Sequence, residues 1–93
     1  MLKIFKITGN SMSPRFNDGD YLLLFTLRRK PRPGQFLVYD HPEIGPIFKQ
    51  VGEVTQGGGL YLKSLNSAGV SSEDIGQCQT ENIIGRMLWH FSP

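Results

Sequence analysis

One cysteine, Cys78, is all this chain carries, so no disulfide can form within it. Histidine is as scarce: His41 stands in a proline-bounded turn and His90 near the C-terminus, and neither has a second histidine or cysteine at metal-ligand spacing. No metal and no cofactor is therefore expected. Charge of one sign is missing too, since ten basic against eight acidic residues leave a net +2. That balance argues against nucleic acid or an anionic membrane as partner. The one dense basic cluster, Arg28-Arg29-Lys30 with Arg32, lies among Pro31, Pro33 and Gly34 and reads as a solvated loop. No apolar run approaches the roughly 20 residues that cross a bilayer, and Met1 to Thr8 lacks the apolar stretch of a secretory signal. A soluble, cytoplasmic protein without a membrane anchor is the expectation.

What the chain has in quantity is punctuation. Eleven glycines and six prolines among 93 residues suit short strands joined by turns. The hydrophobic fraction of 39% is enough for one core, and the expectation is a single compact domain over residues 1–93, mostly β, of short and largely antiparallel strands. The first strand is expected from Leu2 to Ile7, ending at Gly9. Asn17-Asp18-Gly19-Asp20 is a turn, and Tyr21 to Thr26 a continuous apolar run of the kind found in buried strands. Phe36 to Tyr39 and Pro46 to Val54 form a hairpin across Asp40-His41-Pro42 and Gly45, and Gly57-Gly58-Gly59 reverses the chain into Leu60-Tyr61-Leu62. Ser64 to Glu81 is polar and reads as a long loop, after which Ile83 to Phe91 is the last strand.

A serine hydroxyl is a weak nucleophile until a base accepts its proton. Histidine, the usual base, is poorly placed here, but a lysine held among apolar groups can stay neutral near pH 7 and serve instead. Lys49, in Pro46-Ile47-Phe48-Lys49-Gln50-Val51, has the most apolar flanks of the lysines considered and falls on an expected interior strand. Ser11 lies in a Gly/Pro turn where Gly9 permits close approach and successive N–H groups can face a developing oxyanion.

Gly9-Asn10-Ser11-Met12-Ser13-Pro14, followed by Asp18-Gly19-Asp20 and an apolar strand, resembles the first box of the superfamily that joins bacterial signal peptidase I to the self-cleaving SOS repressors. Phe48-Lys49-Gln50-Val51-Gly52 resembles its strand bearing the general-base lysine, and Ile83-Ile84-Gly85-Arg86 its closing Ile-Gly strand. Leu62 and Asn66 echo a leucine and an asparagine of the repressor branch, and Ser72-Glu73-Asp74 a Ser-x-Asp element of the signal peptidase branch. The chain departs from the family pattern at Gln50, where signal peptidases have arginine, and at Gln35, where an aspartate is usual.

The resemblance implies the catalytic-core fold of that superfamily and a serine endopeptidase with Ser11 as nucleophile and Lys49 as base. Asn10 and Met12 would contribute around the oxyanion, and Ser72 would orient the lysine amine. The expected partner is a protein or peptide segment bound as an extended strand, and a homodimer is left open. Met12, Phe48 and the Tyr21–Phe25 strand are expected to shield Lys49, leaving room for only a small residue before the cut. The alternative is a catalytically inactive peptide-binding module on the same scaffold.

Overall fold

The computed structural model describes residues 1–26, 30–66 and 75–93. Its strands are β1 (Leu2–Lys6), β2 (Tyr21–Phe25), β3 (Phe36–His41), β4 (Gly45–Val54), β5 (Gly59–Lys63), β6 (Cys78–Gln79) and β7 (Ile83–Phe91), with one 3₁₀ turn at Thr80–Asn82. They make a seven-stranded sheet in the order β1-β2-β7-β3-β4-β5-β6. Each neighbouring pair is antiparallel. A mostly β, antiparallel architecture follows, as the turn-rich composition implies.

Side chains alternate across the strands, and each face of the sheet buries its own apolar cluster. Leu22, Leu24, Val38 and Phe48 gather on one face with Ile7, Met12 and Phe16 from the segment between β1 and β2. Leu37, Tyr39, Val51, Leu60 and Leu62 gather on the other, with Ile75 and Cys78. Directly paired residues share a face. Phe25 pairs with Arg86, Arg86 with Leu37, and Leu37 with Lys49, so one row of side chains runs across β2, β7, β3 and β4.

The two hairpins fall where the sequence places them. β3 and β4 close through the turn before Gly45, and β4 and β5 through the reversal at Gly58, whose φ of 88° is a left-handed conformation that glycine adopts without strain. Two expectations need correction. Tyr21–Phe25 is not buried throughout: only Leu22 and Leu24 are buried, and Tyr21, Leu23 and Phe25 are half-buried on the opposite face. The stretch read as a loop up to Glu81 contains β6, whose two residues pair with Gly59 and Leu60, as well as the start of the 3₁₀ turn. A two-residue strand is too short to show a period, and what holds it is the burial of Cys78. Among the described residues no helix is long and apolar enough to cross a membrane.

Candidate active site

The segment after β1 is a compact knot of turns. Gly9 has φ 87°, which glycine alone adopts freely, and its N–H donates to Asp18 Oδ1 at 2.8 Å, tying the Gly-Asn-Ser turn to the Asp-Gly-Asp turn. The N–H of Ser13 donates to the Asn10 carbonyl at 3.1 Å and that of Phe16 to the Met12 carbonyl at 3.0 Å. The Ser13–Pro14 peptide bond is cis. Met12 and Phe16 anchor the knot in the core, Phe16 meeting Phe36 and Phe48 edge-on at 4.9 and 5.0 Å. Ser11 is thereby held at the surface end of a well-anchored turn.

Lys49 lies on β4, between β3 and β5, and is 3% exposed. Its Nζ donates to Ser64 Oγ at 2.7 Å. Burial penalises the ammonium form and lowers the lysine's pKa below its ordinary value. A cavity of about 230 Å³ is lined by both Ser11 and Lys49, with Phe5, Ile7, Met12 and Phe48 among its apolar walls. Met12 and Phe48 thus stand where the sequence leads one to look for a shield around the amine. The Tyr21–Phe25 strand does not line this cavity; Ile44 and Ile47 of the β3–β4 hairpin do.

The pairing of β4 with β5 explains why Ser64 reaches the amine. Near the turn Val54 pairs with Leu60 and Glu53 with Tyr61; beyond it Val51 pairs with Leu62 and Gln50 with Lys63, leaving Gly52 as an unpaired extra residue, a β-bulge. Continued from Gln50 and Lys63, this register brings Ser64 opposite Lys49, whereas unbroken pairing from the turn would bring Leu65 there. Two residues further on, Asn66 clasps the turn that carries Ser11: its N–H donates to the Ser11 carbonyl and its Nδ2 to the Asn10 carbonyl, each at 2.9 Å. The end of β5 therefore touches both halves of the site.

A second tie comes from β7. Asp20, nearly buried, accepts from the Asn17 N–H at 3.0 Å and pairs with His90 Nε2 at 2.7 Å. The His90 hydrogen bond first, and the Asn17 N–H second, hold the Asp20 carboxyl below its usual pKa. His41 is likewise occupied: its Nδ1 accepts from the N–H groups of Glu43 and Ile44, so Nε2 carries the proton and donates to the Ile75 carbonyl at 3.2 Å.

The structure thus brings Ser11, Asn10, Met12 and Lys49 to one place. Ser72 lies outside the described residues. The hydroxyl that meets Lys49 is that of Ser64, which sequence reasoning missed; its signal was the register of the β4–β5 hairpin, decided by the bulge at Gly52. Among the described residues no group of three histidine, cysteine, aspartate or glutamate side chains is placed to hold a metal ion. A family model described as Peptidase S24-like matches residues 1–88. No curated protein matches the chain.

Proposed function

The chain belongs to the Peptidase S24-like family, and on that footing we propose that it is a serine endopeptidase working through Ser11 and Lys49. The observation that carries this reading is a buried lysine of lowered pKa, sharing one cavity with Ser11 and held by a serine hydroxyl. Ser11 Oγ attacks the scissile carbonyl while neutral Lys49 takes the hydroxyl proton, forming the tetrahedral intermediate. With one N–H engaged by Ser64, the amine lone pair is left to face the serine. The N–H groups of Ser11 and Met12 have no acceptor among the described residues and are the donors for the oxyanion. Collapse of the intermediate breaks the C–N bond, and Lys49 returns its proton to the leaving amine. Lys49 then takes a proton from the water that attacks the acyl-enzyme carbonyl; collapse of this second intermediate breaks the bond to Ser11 Oγ, Lys49 returns the proton to that oxygen, and the acid is released.

The substrate is an extended peptide segment, since a strand presents its scissile carbonyl without a bulky side chain between it and Ser11. The cavity holding Lys49 is small and its Met12 wall is fixed, so the residue before the cut is small, alanine or glycine. The test compares protein termini generated in a proteome by wild type and by Ser11→Ala. Termini dependent on Ser11 are expected, preceded by small residues. Lys49→Met is expected to lower their formation at least about a thousandfold, as losses in other nucleophile–base pairs do. Cleavage that survives either substitution overturns the dyad, and peptide affinity without any turnover identifies a binding module instead.

A further inference from the structure

A second and larger cavity, of about 440 Å³, opens elsewhere on the sheet, and the proposed peptidase chemistry does not use it. Its walls include Phe25, Leu37, Val54 and Ile83, and two cationic side chains, Lys30 and Arg86, line it as well. No aspartate or glutamate lines it among the described residues. The row across the sheet explains the grouping: Phe25, Arg86 and Leu37 are paired neighbours on β2, β7 and β3 and so project from one face.

Arg86 is the informative member. Its guanidinium carbon lies 5.2 Å from the centre of the Phe25 ring, and its Nε is buried without a hydrogen-bond partner. A buried donor on a permanently charged group is costly to leave unmet. Stacking on Phe25 holds the guanidinium plane in place but offers Nε no acceptor. A carboxylate meets a guanidinium with two parallel hydrogen bonds, and because Nε is covered, the terminal nitrogens are the edge left to offer that fork. Lys30 adds a second positive charge to the same cavity, while the remaining walls combine Leu37, Val54 and Ile83 with the uncharged polar side chains of Gln35, Gln56 and threonines, and the volume is that of a small-molecule site.

We propose that this cavity binds a small monocarboxylate with an apolar body, the carboxylate on Arg86 and Lys30 and the chain against Leu37, Val54 and Ile83. Neither cation alone would specify such a ligand; two cations, no acidic side chain among the described lining residues and the apolar surface of Leu37, Val54 and Ile83 do so together. A neutral molecule of the same shape fills the walls but leaves the two positive charges uncompensated, and an amine of the same shape meets two like charges.

The test uses the whole chain and three probes of equal length, octanoate, octanol and octylamine, followed by calorimetry and by methyl NMR of Leu37, Val54 and Ile83. Octanoate is expected to bind saturably, to shift those methyls, and to bind at least about tenfold more tightly than octanol, with octylamine weaker still. Arg86→Met is expected to abolish the preference for octanoate over octanol, and Arg86→Lys to keep part of it. Acetyl-leucine, run beside octanoate, separates a free fatty acid from a peptide C-terminus as the source of the carboxylate. Equal affinity for octanol and octanoate overturns the proposal, as do shifts confined to Ile44 and Ile47 at the Ser11 cavity, or no saturable binding at millimolar octanoate. If Arg86→Met fails to fold, the three probes on wild type still decide.

Discussion

A lysine that is 3% exposed carries a cost that the fold must absorb elsewhere. Because burial lowers its pKa, the native chain binds fewer protons than the unfolded chain at any pH between the lowered value and the ordinary lysine value of about 10.4. Stability therefore rises with pH across that window, and below it Lys49 destabilises the fold in full. Lys49→Met is accordingly expected to abolish cleavage yet raise the melting temperature at neutral pH, by roughly 4–8 °C if about 1 kcal/mol is recovered. A lower melting temperature would mean that the Ser64 hydrogen bond outweighs desolvation. The same titration predicts that kcat rises with pH as Lys49 loses its proton, with a midpoint below that of an exposed lysine. Ser64 positions this amine and is not itself expected to touch substrate. Ser64→Ala should lower kcat roughly 10- to 100-fold with KM little changed, and Ser64→Thr should restore part of it. A rise in KM at unchanged kcat would place Ser64 in substrate binding instead. Ser11 and Lys49 were picked out in the sequence through the resemblance of Gly9–Pro14 and Phe48–Gly52, in that order, to two family motifs, since a turn serine or a strand lysine alone is commonplace. Ser64 was not, because a hydroxyl next to Lys63 looks like any strand-end serine until the register is known.

At the scale of elements, boundaries were readable wherever a period or a turn signal spanned several residues. β7 runs from Ile83 to Phe91 as its pattern implies, and Gly58 sits at the reversal between β4 and β5. β6 and the bulge at Gly52 were invisible, since both are defined by partners far along the chain. The link from β7 to the turn preceding β2 was equally hidden, because nothing local connects His90 with Asp20. That link has a pH signature. With its folded-state pKa depressed, Asp20 contributes stability that is present above the unfolded aspartate value of about 3.9 and is lost as pH falls through the lower, folded value. Thermal melts should show wild type losing stability below about pH 4 more steeply than Asp20→Asn. Parallel acid limbs in the two proteins would remove the carboxylate from this role. His90→Ala takes away the largest cause of the depression and should shift the acid limb of wild type towards higher pH.

Across the whole molecule, the candidate site is spread along the chain, with Ser11 before β2, Lys49 on β4, and Ser64 and Asn66 just past β5. Asn66 joins the ends of this arrangement by donating to the carbonyls of Asn10 and Ser11. Asn66→Ala should therefore reduce cleavage more than it reduces thermal stability, since the core anchors Met12 and Phe16 and the backbone bond to the Ser11 carbonyl remain while the turn loses the Nδ2 bond to the Asn10 carbonyl. Equal proportional losses would show that the clasp serves the fold alone. The clasp also sets a clock. Asn10 and Asn66 stand 56 positions apart, so their contact closes a longer loop than the β3–β4 and β4–β5 hairpins and is expected to form after them. In refolding followed by pulsed hydrogen exchange, cleaving power should appear no earlier than protection of the Asn66 amide, and activity ahead of that protection would separate the clasp from catalysis. On the proposed reading, a chain still emerging from synthesis with residue 66 not yet delivered lacks this clasp, and no cutting by it is expected before that length has emerged.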